Sequence, residues 1–574
     1  MNRSFMDRQP IIAFEDFTFQ YFSQAEPTLH NINLKIFPGE KILIVGPSGS
    51  GKSTLGYCIN GLIPFAYKGE IGGYLTIKGF DTRKKNIFEL SKTVGTVLQD
   101  SDGQFVGLTA GEDIAFALEN DNIPHDAMHT RVRRVAEMVG MDSFLSSSPF
   151  ELSGGQKQRT SLAGVLVDDV DILLFDEPLA NLDPATGKTA IEIIDDIHQQ
   201  SAKTILIIEH RLEDVLHRHV DRVIVLDDGR IVADLDAHEL VCSQVLQACG
   251  IREPLYVTAL KYAKAAVTCG MQPGYITTLK TKDAQEALVT WHQSNPKDEG
   301  HNENPSIITM EDIFFSYDGV RNVLEDIDID IREGELISLV GKNGAGKSTL
   351  SKLLCGFEQV DHGRILYRGA DIKDKTIKER AEIIGVVLQN PNQMISKPMI
   401  FDEIALGLRF RAVPENEIVP RVEKVLKICG LAPFREWPIS ALSYGQKKRV
   451  TIASILVLEP KILILDEPTA GQDFRHYTEI MEFLVEINKG GVTVILITHD
   501  MHLMLEYTPR AIVLSEGKIV ADTAASVVLT DAEVIQKANL KETSLYHLAQ
   551  MVGIADETQF VQGFIDYERK LKNR

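Results

Sequence analysis

The sequence has few of the features that place a protein outside the cytosol or on a nucleic acid. Its six cysteines are scattered, with no Cys-x-x-Cys pair, so they predict neither a disulfide framework nor a metal site. No apolar run approaches the ~20 residues that cross a bilayer, and the first residues lack the apolar core of a signal peptide. The net charge of −21 disfavours a protein that neutralises nucleic-acid phosphates. We therefore expect a soluble, cytosolic chain that binds no nucleic acid and acts on any membrane through a partner.

The chain contains an internal repeat. Its 574 residues exceed what one hydrophobic core usually serves, and the same signature residues recur about 290 positions later. The clearest pairs are Tyr21 with Tyr317, Lys52 with Lys347, Gln99 with Gln389, Ser153 with Ser443, Asp176 with Asp466 and His210 with His499. A period this long predicts two fused domains of one kind rather than a solenoid.

A glycine-rich loop follows an apolar strand in each half. The segments GPSGSGKST and GKNGAGKST fit the phosphate-binding pattern GxxxxGK(S/T), and each lies between a predicted strand and a predicted helix. The backbone N–H groups would close on phosphate oxygens, the lysine would reach the β- and γ-phosphates, and the serine would bind Mg²⁺. A chance glycine-rich turn, the alternative, would not be expected twice in this context. The predicted ATP-binding residues are Gly46, Pro47, Ser48, Gly49, Ser50, Gly51, Lys52, Ser53, Thr54, Gly341, Lys342, Asn343, Gly344, Ala345, Gly346, Lys347, Ser348 and Thr349.

Two further residues in each half are candidates for contacts with the nucleotide and its metal. Tyr21 and Tyr317 precede the P-loops at a spacing that lets a ring stack on adenine, although an ordinary strand aromatic would look the same. Gln99 and Gln389 each end an apolar strand, where a glutamine can ligate Mg²⁺ or position water. A surface glutamine is the alternative, and the recurrence disfavours it.

Paired carboxylates end a second apolar strand in each half. The segments ILLFDE and ILILDE describe buried parallel strands whose carboxyl ends carry chemistry. Asp176 and Asp466 would hold Mg²⁺, and Glu177 and Glu467 would polarise the attacking water. Acids in a solvated loop are the alternative, but they would not recur at a fixed distance from a P-loop.

Serine-led helix starts and strand-end histidines complete the set. The segments LSGGQ and LSYGQ open helices, and a serine followed by free N–H groups is an anion site. Simple N-capping is the alternative, and it needs neither the second glycine nor the glutamine. The strands Thr204 to Ile208 and Thr493 to Ile497 lead to His210 and His499, which could donate to a γ-phosphoryl group; alone, each would be read as a surface histidine.

The polar loops after Gln99 and Gln389 carry apolar residues, namely Phe105, Val106, Met394 and Ile395. Exposed apolar residues among polar ones suit a groove for an amphipathic coupling helix of a membrane partner. The alternative is that these residues pack against the helical part of their own domain.

Composition shifts divide the chain into five segments. The segment QSNPKDEGHNENP is polar and rich in Asn and Pro, which is typical of a linker. We expect a first domain over 1–245, a helical extension over 246–292 with an apolar stripe from Val257 to Val267, the linker over 293–305, a second domain over 306–537 and a C-terminal helical extension over 538–574.

These motifs, in this order, resemble a tandem ATP-binding-cassette (ABC) ATPase, and LSGGQ is the specific mark. The resemblance implies an α/β fold with two P-loop NTPase (ABC-type) domains, each with a RecA-like parallel-sheet core, an antiparallel β subdomain and a helical subdomain. Within the family the chain is similar to the ATPases of energy-coupling-factor (ECF) vitamin importers. The stretches DGQFV and EDIAFALEN, the segment IIEHRLEDV around His210, and Gly250 to Pro254 carry this narrower similarity.

The resemblance also implies how the motifs combine. The two cassettes, paired within one chain or between two, would close head to tail around two ATP molecules with Mg²⁺. Site one would contain Tyr21, the first P-loop, Gln99, Asp176, Glu177 and His210, capped by Ser443, Gly445, Gln446 and Asp473. Site two would contain Tyr317, the second P-loop, Gln389, Asp466, Glu467 and His499, capped by Ser153, Gly155, Gln156 and Asp183. Tyr444 and Gln472 depart from the family pattern, but neither position would touch phosphate, so we expect both sites to hydrolyse ATP.

The implied activity is ATP hydrolysis coupled to uptake of a small molecule. The resemblance implies integral membrane coupling and substrate-binding subunits as partners, at the cytoplasmic face of a bacterial membrane. The cargo would be a vitamin, for instance a thiamine-related pyrimidine, or a metal ion. A monosaccharide importer usually has one decayed P-loop, and an ABC-type translation factor needs a long charged helical linker and a basic face. These two alternatives therefore fit less well.

Overall fold

The computed structural model describes residues 9–98, 102–180, 182–294, 304–470 and 472–572. These fall into two compact units, residues 1–290 and 291–574. Gln99 and most of the predicted linker lie outside the described residues. No helix among the described residues is long and apolar enough to cross a membrane.

The first unit contains a six-stranded and a four-stranded sheet within its described residues. The six-stranded sheet has the order β10-β9-β3-β8-β7-β6, parallel except for β10, and the four-stranded sheet is antiparallel with the order β2-β1-β4-β5. The strands are β1 Ile12–Tyr21, β2 Leu29–Ile36, β3 Lys41–Val45, β4 Gly69–Ile77, β5 Phe80–Asp81, β6 Val94–Val97, β7 Ile172–Asp176, β8 Thr204–Ile208, β9 Arg222–Asp227 and β10 Arg230–Leu235.

The helices of the first unit lie between these strands and after them. They are α1 Lys52–Ile59, α2 Leu62–Phe65, α3 Ile87–Ser91, α4 Ala110–Asn120, α5 His125–Met138, α6 Gly154–Leu166, α7 Pro184–Ser201, α8 Leu212–Val215, α9 Ala237–Cys242, α10 Val245–Ala248, α11 Leu255–Tyr262 and α12 Gln285–Ser294. Helices α4, α5 and α6 pack on one another as a helical subdomain. Helix α11 ends at Tyr262, so the apolar stripe predicted to run to Val267 is shorter than expected.

The second unit repeats this architecture. Its six-stranded sheet has the order β16-β17-β18-β13-β19-β20, and its antiparallel sheet has the order β12-β11-β14-β15. The strands are β11 Ser306–Phe315, β12 Leu324–Arg332, β13 Leu336–Gly341, β14 His362–Tyr367, β15 Ala370–Asp371, β16 Ile384–Val387, β17 Ile462–Asp466, β18 Thr493–Ile497, β19 Arg510–Ser515 and β20 Lys518–Ala524. The helices are α13 Lys347–Cys355, α14 Ile377–Arg380, α15 Ile400–Phe410, α16 Glu415–Ile428, α17 Tyr444–Leu456, α18 Phe474–Lys489, α19 Met501–Tyr507, α20 Ala525–Val528, α21 Ala532–Ala538, α22 Ser544–Met551 and α23 Glu557–Lys572.

The parallel strands that carry the predicted motifs are buried, as their continuous apolar sequences indicate. Every residue of β3, β7 and β8 is buried, because both faces of this sheet are covered, one of them partly by the antiparallel sheet. In the second unit one face packs with α13 and the antiparallel sheet, and the other packs with the helical subdomain α15–α17. The predicted α/β fold is therefore confirmed, and the carboxyl ends of the strands form one edge where the motif residues gather.

Candidate active sites

The first P-loop joins β3 to α1 in a conformation that depends on glycine. Gly51 caps α1 at φ +96°, and a Cβ on Gly46 would lie 2.2 Å from the carbonyl oxygen of Leu226. Lys52 Nζ donates to the carbonyl oxygens of Gly46 and Pro47, both at 2.9 Å. The lysine thus folds back over its own loop, and the loop presents N–H groups at the start of a helix, which is a site suited to phosphate.

The second P-loop has the same construction between β13 and α13. Gly346 caps α13 at φ +105°, and a Cβ on Gly341 would lie 2.0 Å from the carbonyl oxygen of Leu514. Lys347 Nζ donates to the carbonyl oxygens of Gly341, at 2.8 Å, and Lys342, at 3.0 Å. The two loops therefore have the same glycine requirements and the same lysine geometry, as expected of a duplicated domain.

Each predicted adenine-stacking tyrosine lies beside its own P-loop helix. Tyr21 OH lies 3.2 Å from Thr54 Oγ1, and Tyr317 OH lies 3.3 Å from Thr349 Oγ1. The two rings pack edge-on against Phe19 and Phe315. This position is compatible with a ring that meets the base of a nucleotide, and the stacking itself stays a prediction.

A pair of oxygen ligands lies next to the first P-loop. Ser53 Oγ donates to Asp176 Oδ1 at 3.4 Å, at the end of β7. Burial raises the pKa of Asp176 to about 6, and in the second unit burial also raises the pKa of Asp466. A hydroxyl and a carboxylate are hard oxygen ligands of the kind that Mg²⁺ prefers. The residues present therefore fit the predicted metal.

The glutamate after each of these aspartates has an unusual backbone. Glu177 has φ +50° and Glu467 has φ +45°, both in the left-handed region that non-glycine residues seldom adopt. Their N–H groups donate to the carbonyl oxygens of Ile208 and Ile497, each at 2.9 Å, which fixes this turn. Burial, with the charges of Glu209 and Asp176, raises the pKa of Glu177 to about 7. A buried carboxyl with a pKa near neutrality is suited to general-base catalysis.

The strand-end histidines lie beside these glutamates, but the two sites differ. His499 Nδ1 donates to Glu467 Oε1 at 2.6 Å, and Thr498 Oγ1 donates to Glu467 Oε2 at 3.3 Å. In the first unit His210 Nδ1 lies 3.8 Å from Glu177 Oε1 and only 3.2 Å from Glu209 Oε1.

Glu209 occupies the place of Thr498 in the first unit and is fully buried. Its carboxylate accepts hydrogen bonds from the backbone N–H groups of Leu179, His210 and Arg211. No sequence pattern points to Glu209, because its role depends on the turn that surrounds it.

The signature serines begin helices α6 and α17 as N-caps. Ser153 Oγ accepts from Gln156 N, while Gln156 Oε1 accepts from Ser153 N, and Ser443 with Gln446 repeats this capping box. Gln156 and Gln446 therefore take part in the caps themselves. A Cβ on Gly155 would lie 2.4 Å from Thr186 Cγ2, whereas one on Gly445 would meet nothing closer than 3.4 Å. Contact of these residues with a nucleotide stays a prediction.

The remaining predicted residues lie at loops beside the sheet edge. Gln389 follows β16 and is described below, whereas its counterpart Gln99 lies outside the described residues. Asp183 and Asp473 cap helices α7 and α18 by accepting from the N–H groups of Thr186 and His476.

The apolar residues after the glutamines do not behave alike in the two units. Val106 is 63% exposed, and Leu108, which the sequence analysis passed over, is 82% exposed. Met394 and Ile395 are partly buried and pack against the helical subdomain core, and Met394 Sδ accepts from Leu388 N at 3.2 Å. The groove interpretation is therefore wrong for Met394 and Ile395, because their loop turns inward.

A carboxylate that the sequence analysis did not single out holds each of these loops. Asp113 Oδ1 accepts from the N–H groups of Val106 and Gly107. Glu403 Oε2 accepts from those of Ser396 and Lys397 at the matching place. The signal available in the sequence was the recurrence of an acid near the start of helices α4 and α15.

Comparison with known proteins shows the family. The family model described as ABC transporter matches residues 29–180 and 324–470, so each match contains one P-loop and one Asp-Glu pair. The chain is a tandem ABC ATPase. It therefore binds ATP through its two cassettes and acts as an ABC-type ATPase.

Relatives match this tandem ABC ATPase along the whole of their own length. An ABC transporter ATP-binding protein of Clostridium perfringens is 57% identical over 99% of this chain and 100% of its own length. One from Staphylococcus aureus is 49% identical over 99% of this chain and 100% of its own length. A model described as ATP-binding cassette cobalt transporter matches residues 243–315. A solved structure of CbiO1 from C. perfringens, described as part of the ABC transporter complex CbiONQ, is 36% identical and covers 44% of this chain and 100% of its own, with a TM-score of 0.39.

Proposed function

We propose that this ATPase is the energising subunit of an ECF-type importer. The observation that carries the proposal is the match of residues 243–315 to a family described as ATP-binding cassette cobalt transporter. This segment lies after the first cassette and before the second P-loop. It coincides with much of the helical extension in which the sequence resembles the ECF ATPases.

We propose that ATP is held at two composite sites of the ABC type. Each would take its P-loop, Asp-Glu pair, tyrosine, glutamine and histidine from one cassette, and its signature residues and Asp183 or Asp473 from the other cassette. Both cassettes have the lysine, serine, aspartate and glutamate that such a site requires. We therefore expect both sites to be active.

The residues would divide the reaction between them. Lys52 and Lys347 would neutralise the β- and γ-phosphates, in place of the loop carbonyls that they now contact. Glu177 and Glu467 would accept the proton of the attacking water, and His210 and His499 would orient the γ-phosphoryl group. Ser53, Ser348, Asp176, Asp466, Gln99 and Gln389 would hold Mg²⁺, which would neutralise phosphate charge.

The partners of the proposed importer are integral membrane subunits. Power for transport must reach a membrane protein, so we propose a peripheral position at the cytoplasmic face of the membrane. The cargo is a small molecule carried by those subunits. The family description favours a metal ion such as cobalt, and the ECF similarity also fits a vitamin such as a thiamine-related pyrimidine.

The test is purification of the tagged chain from its own membranes with whatever subunits remain bound. We expect integral membrane proteins to co-purify, and the complex to take up either labelled Co²⁺ or a labelled thiamine precursor into vesicles when ATP is supplied on the chain's side. The chain with Lys52→Ala and Lys347→Ala serves as the control that should not energise uptake. If the purified chain hydrolyses ATP but no membrane protein co-purifies with it, the importer proposal is contradicted.

A further inference from the structure

In the second cassette the loop that contains Gln389 is hydrogen-bonded to α17, the helix that begins after Ser443. Lys448 Nζ donates hydrogen bonds to the carbonyl oxygens of Leu388 and Gln389, both at 2.8 Å. Tyr444 OH donates to the carbonyl oxygen of Gln389 at 3.2 Å. Three hydrogen bonds from one helix therefore converge on two consecutive peptide groups at the end of β16.

The geometry makes this connection stiff. Tyr444 and Lys448 are four residues apart on α17, so their side chains lie one above the other on the same face of the helix. Lys448 is only 1% exposed, and a buried ammonium group must keep its acceptors because it has no access to water. If the loop moved away, Lys448 would lose both carbonyl oxygens at once. Loop and helix are therefore expected to move as one body.

The first cassette lacks these two side chains. At the matching positions it has Gly154, which has no side chain, and Gln158, whose Nε2 donates to the carbonyl oxygen of Pro178 instead. Pro178 directly follows Glu177, so helix α6 is bonded to a different segment. The difference follows from the side chains, since glutamine is shorter than lysine and carries no charge.

Helix α17 also carries the signature residues at its first turn. Ser443 caps the helix and Gln446 completes the capping box. Lys448 lies five residues after Ser443, which corresponds to a rise of about 7.5 Å along the helix axis. The segment predicted to cap one ATP is therefore linked through less than two helical turns to Gln389, which is predicted to serve the other ATP.

We propose that Lys448 and Tyr444 are positioning residues that tie Gln389 of site two to the signature segment of site one, so that nucleotide at either site changes the affinity of the other. The inference rests on the proposed head-to-tail pairing of the cassettes. Coupling of this kind is reciprocal, and its usual size is about 5- to 150-fold in affinity. In the first cassette the matching positions are Gly154 and Gln158, and the described contact of Gln158 goes to Pro178, so we place the communication in α17.

The experiment measures this coupling in the full chain bound to its membrane subunits. A photoreactive, slowly hydrolysed ATP analogue labels the first cassette, and mass spectrometry localises the label. Its Kd is compared between a chain with both P-loops intact and one whose second P-loop carries Lys347→Ala. The larger of these two Kd values divided by the smaller is the coupling ratio. We expect a coupling ratio of at least about 5 in the parent chain. We expect a ratio of about 1 with Lys448→Gln, which introduces the residue of the first cassette.

Controls separate positioning from a general structural role. Lys447→Gln removes the same charge one residue earlier and should leave the ratio unchanged. An unchanged ratio in a Lys448→Gln chain that melts at the parent temperature would overturn the inference, as would a ratio of 1 in a parent chain that binds two nucleotides.

If Lys448→Gln does not fold, Tyr444→Phe removes a single hydroxyl and decides the question, because a ratio equal to the parent's would then overturn the inference. A parent chain that binds no nucleotide would overturn the proposed function and the inference together.

Discussion

At the scale of single residues, the two glutamates show how the fold supports chemistry at a local cost. A left-handed non-glycine residue costs on the order of 1–3 kcal/mol and persists only where its surroundings hold it. Glu177 and Glu467 are held by backbone hydrogen bonds to the neighbouring strands β8 and β18. These bonds thereby hold each carboxylate at the end of its strand, next to the P-loop where the attacking water is proposed to lie.

The first prediction follows from this placement. Glu177→Gln combined with Glu467→Gln keeps the size of both side chains and removes both general bases. Because base catalysis typically contributes about 10²- to 10⁴-fold, we expect ATP turnover in the complex to fall at least about 100-fold while ATP still binds. The measurement is phosphate release together with retention of labelled ATP.

A matched control for this prediction is Glu459→Gln. Glu459 has the same left-handed backbone, at φ +55°, but lies before β17 rather than after it. Its replacement should leave turnover unchanged. Turnover at the parent rate in the double variant would show that these glutamates are not the catalytic bases.

At the scale of elements, the loops between the glutamines and helices α4 and α15 differ in what they expose. Val106 and Leu108 are exposed and follow Gln104, whose side chain bonds to the backbone of Thr96 and Leu98. In the second cassette Met394 takes the place of Gln104 and packs inward. Among the described residues of the two loops, Val106 and Leu108 of the first therefore give the larger exposed apolar surface, which is the kind of surface that the proposed coupling helix would bind.

The second prediction uses this difference. Val106→Asp with Leu108→Asp should leave the melting temperature and ATP binding unchanged, because both side chains are exposed, yet it should remove the membrane subunits in a pull-down. Met394→Asp should lower the free energy of unfolding by about 1–2 kcal/mol, because it places a charge at a partly buried position against the core of the helical subdomain. Thermal melts and pull-downs of both variants check the prediction.

Val232→Asp is the control for the exposed pair, since Val232 is also exposed but lies on β10, at the far edge of the sheet from β6. It should keep the membrane subunits bound. Full retention of those subunits by the Val106 and Leu108 variant would assign the contact to another surface.

The sequence predicted the fold and the candidate residues because their chemistry requires specific residues at specific spacings. Glycines at positive φ, a lysine after the loop and carboxylates at a strand end leave a readable pattern, and duplication doubled it. Glu209 and Lys448 left no such pattern, and Asp113 left only the recurrence of an acid near the start of α4 and α15. Their roles depend on which peptide groups the fold brings within reach, and those groups are distant in sequence or belong to irregular turns. The inward packing of Met394 was likewise decided by the core around it.

At the scale of the whole molecule, one chain carries two similar but unequal cassettes. In the second cassette the ring of His499 is hydrogen-bonded directly to Glu467. In the first cassette the ring of His210 lies closer to Glu209, and Glu209 also accepts a hydrogen bond from the backbone N–H of His210. Both nevertheless retain a complete P-loop with its lysine bonded in the same way. The two P-loops are therefore more alike than the surroundings of the two predicted catalytic glutamates.

The last prediction tests whether ATP hydrolysis requires both P-loops. Each P-loop lysine should contribute about 1.5–3 kcal/mol through charge-assisted contacts with phosphate, so its loss should weaken binding at that site roughly 10- to 150-fold. We expect Lys52→Ala and Lys347→Ala each to impair ATP hydrolysis in the complex, by unequal factors because the two sites differ. The double variant should have no measurable activity, as measured by phosphate release at saturating ATP.

Lys461→Ala, at the opposite end of β17 from Asp466, removes an exposed lysine and should change nothing. Near-normal turnover in the double variant would mean that the P-loops do not bind the hydrolysed ATP. Equal effects of the two single variants would instead mean that the differences around Glu209 and Thr498 do not reach the chemical step.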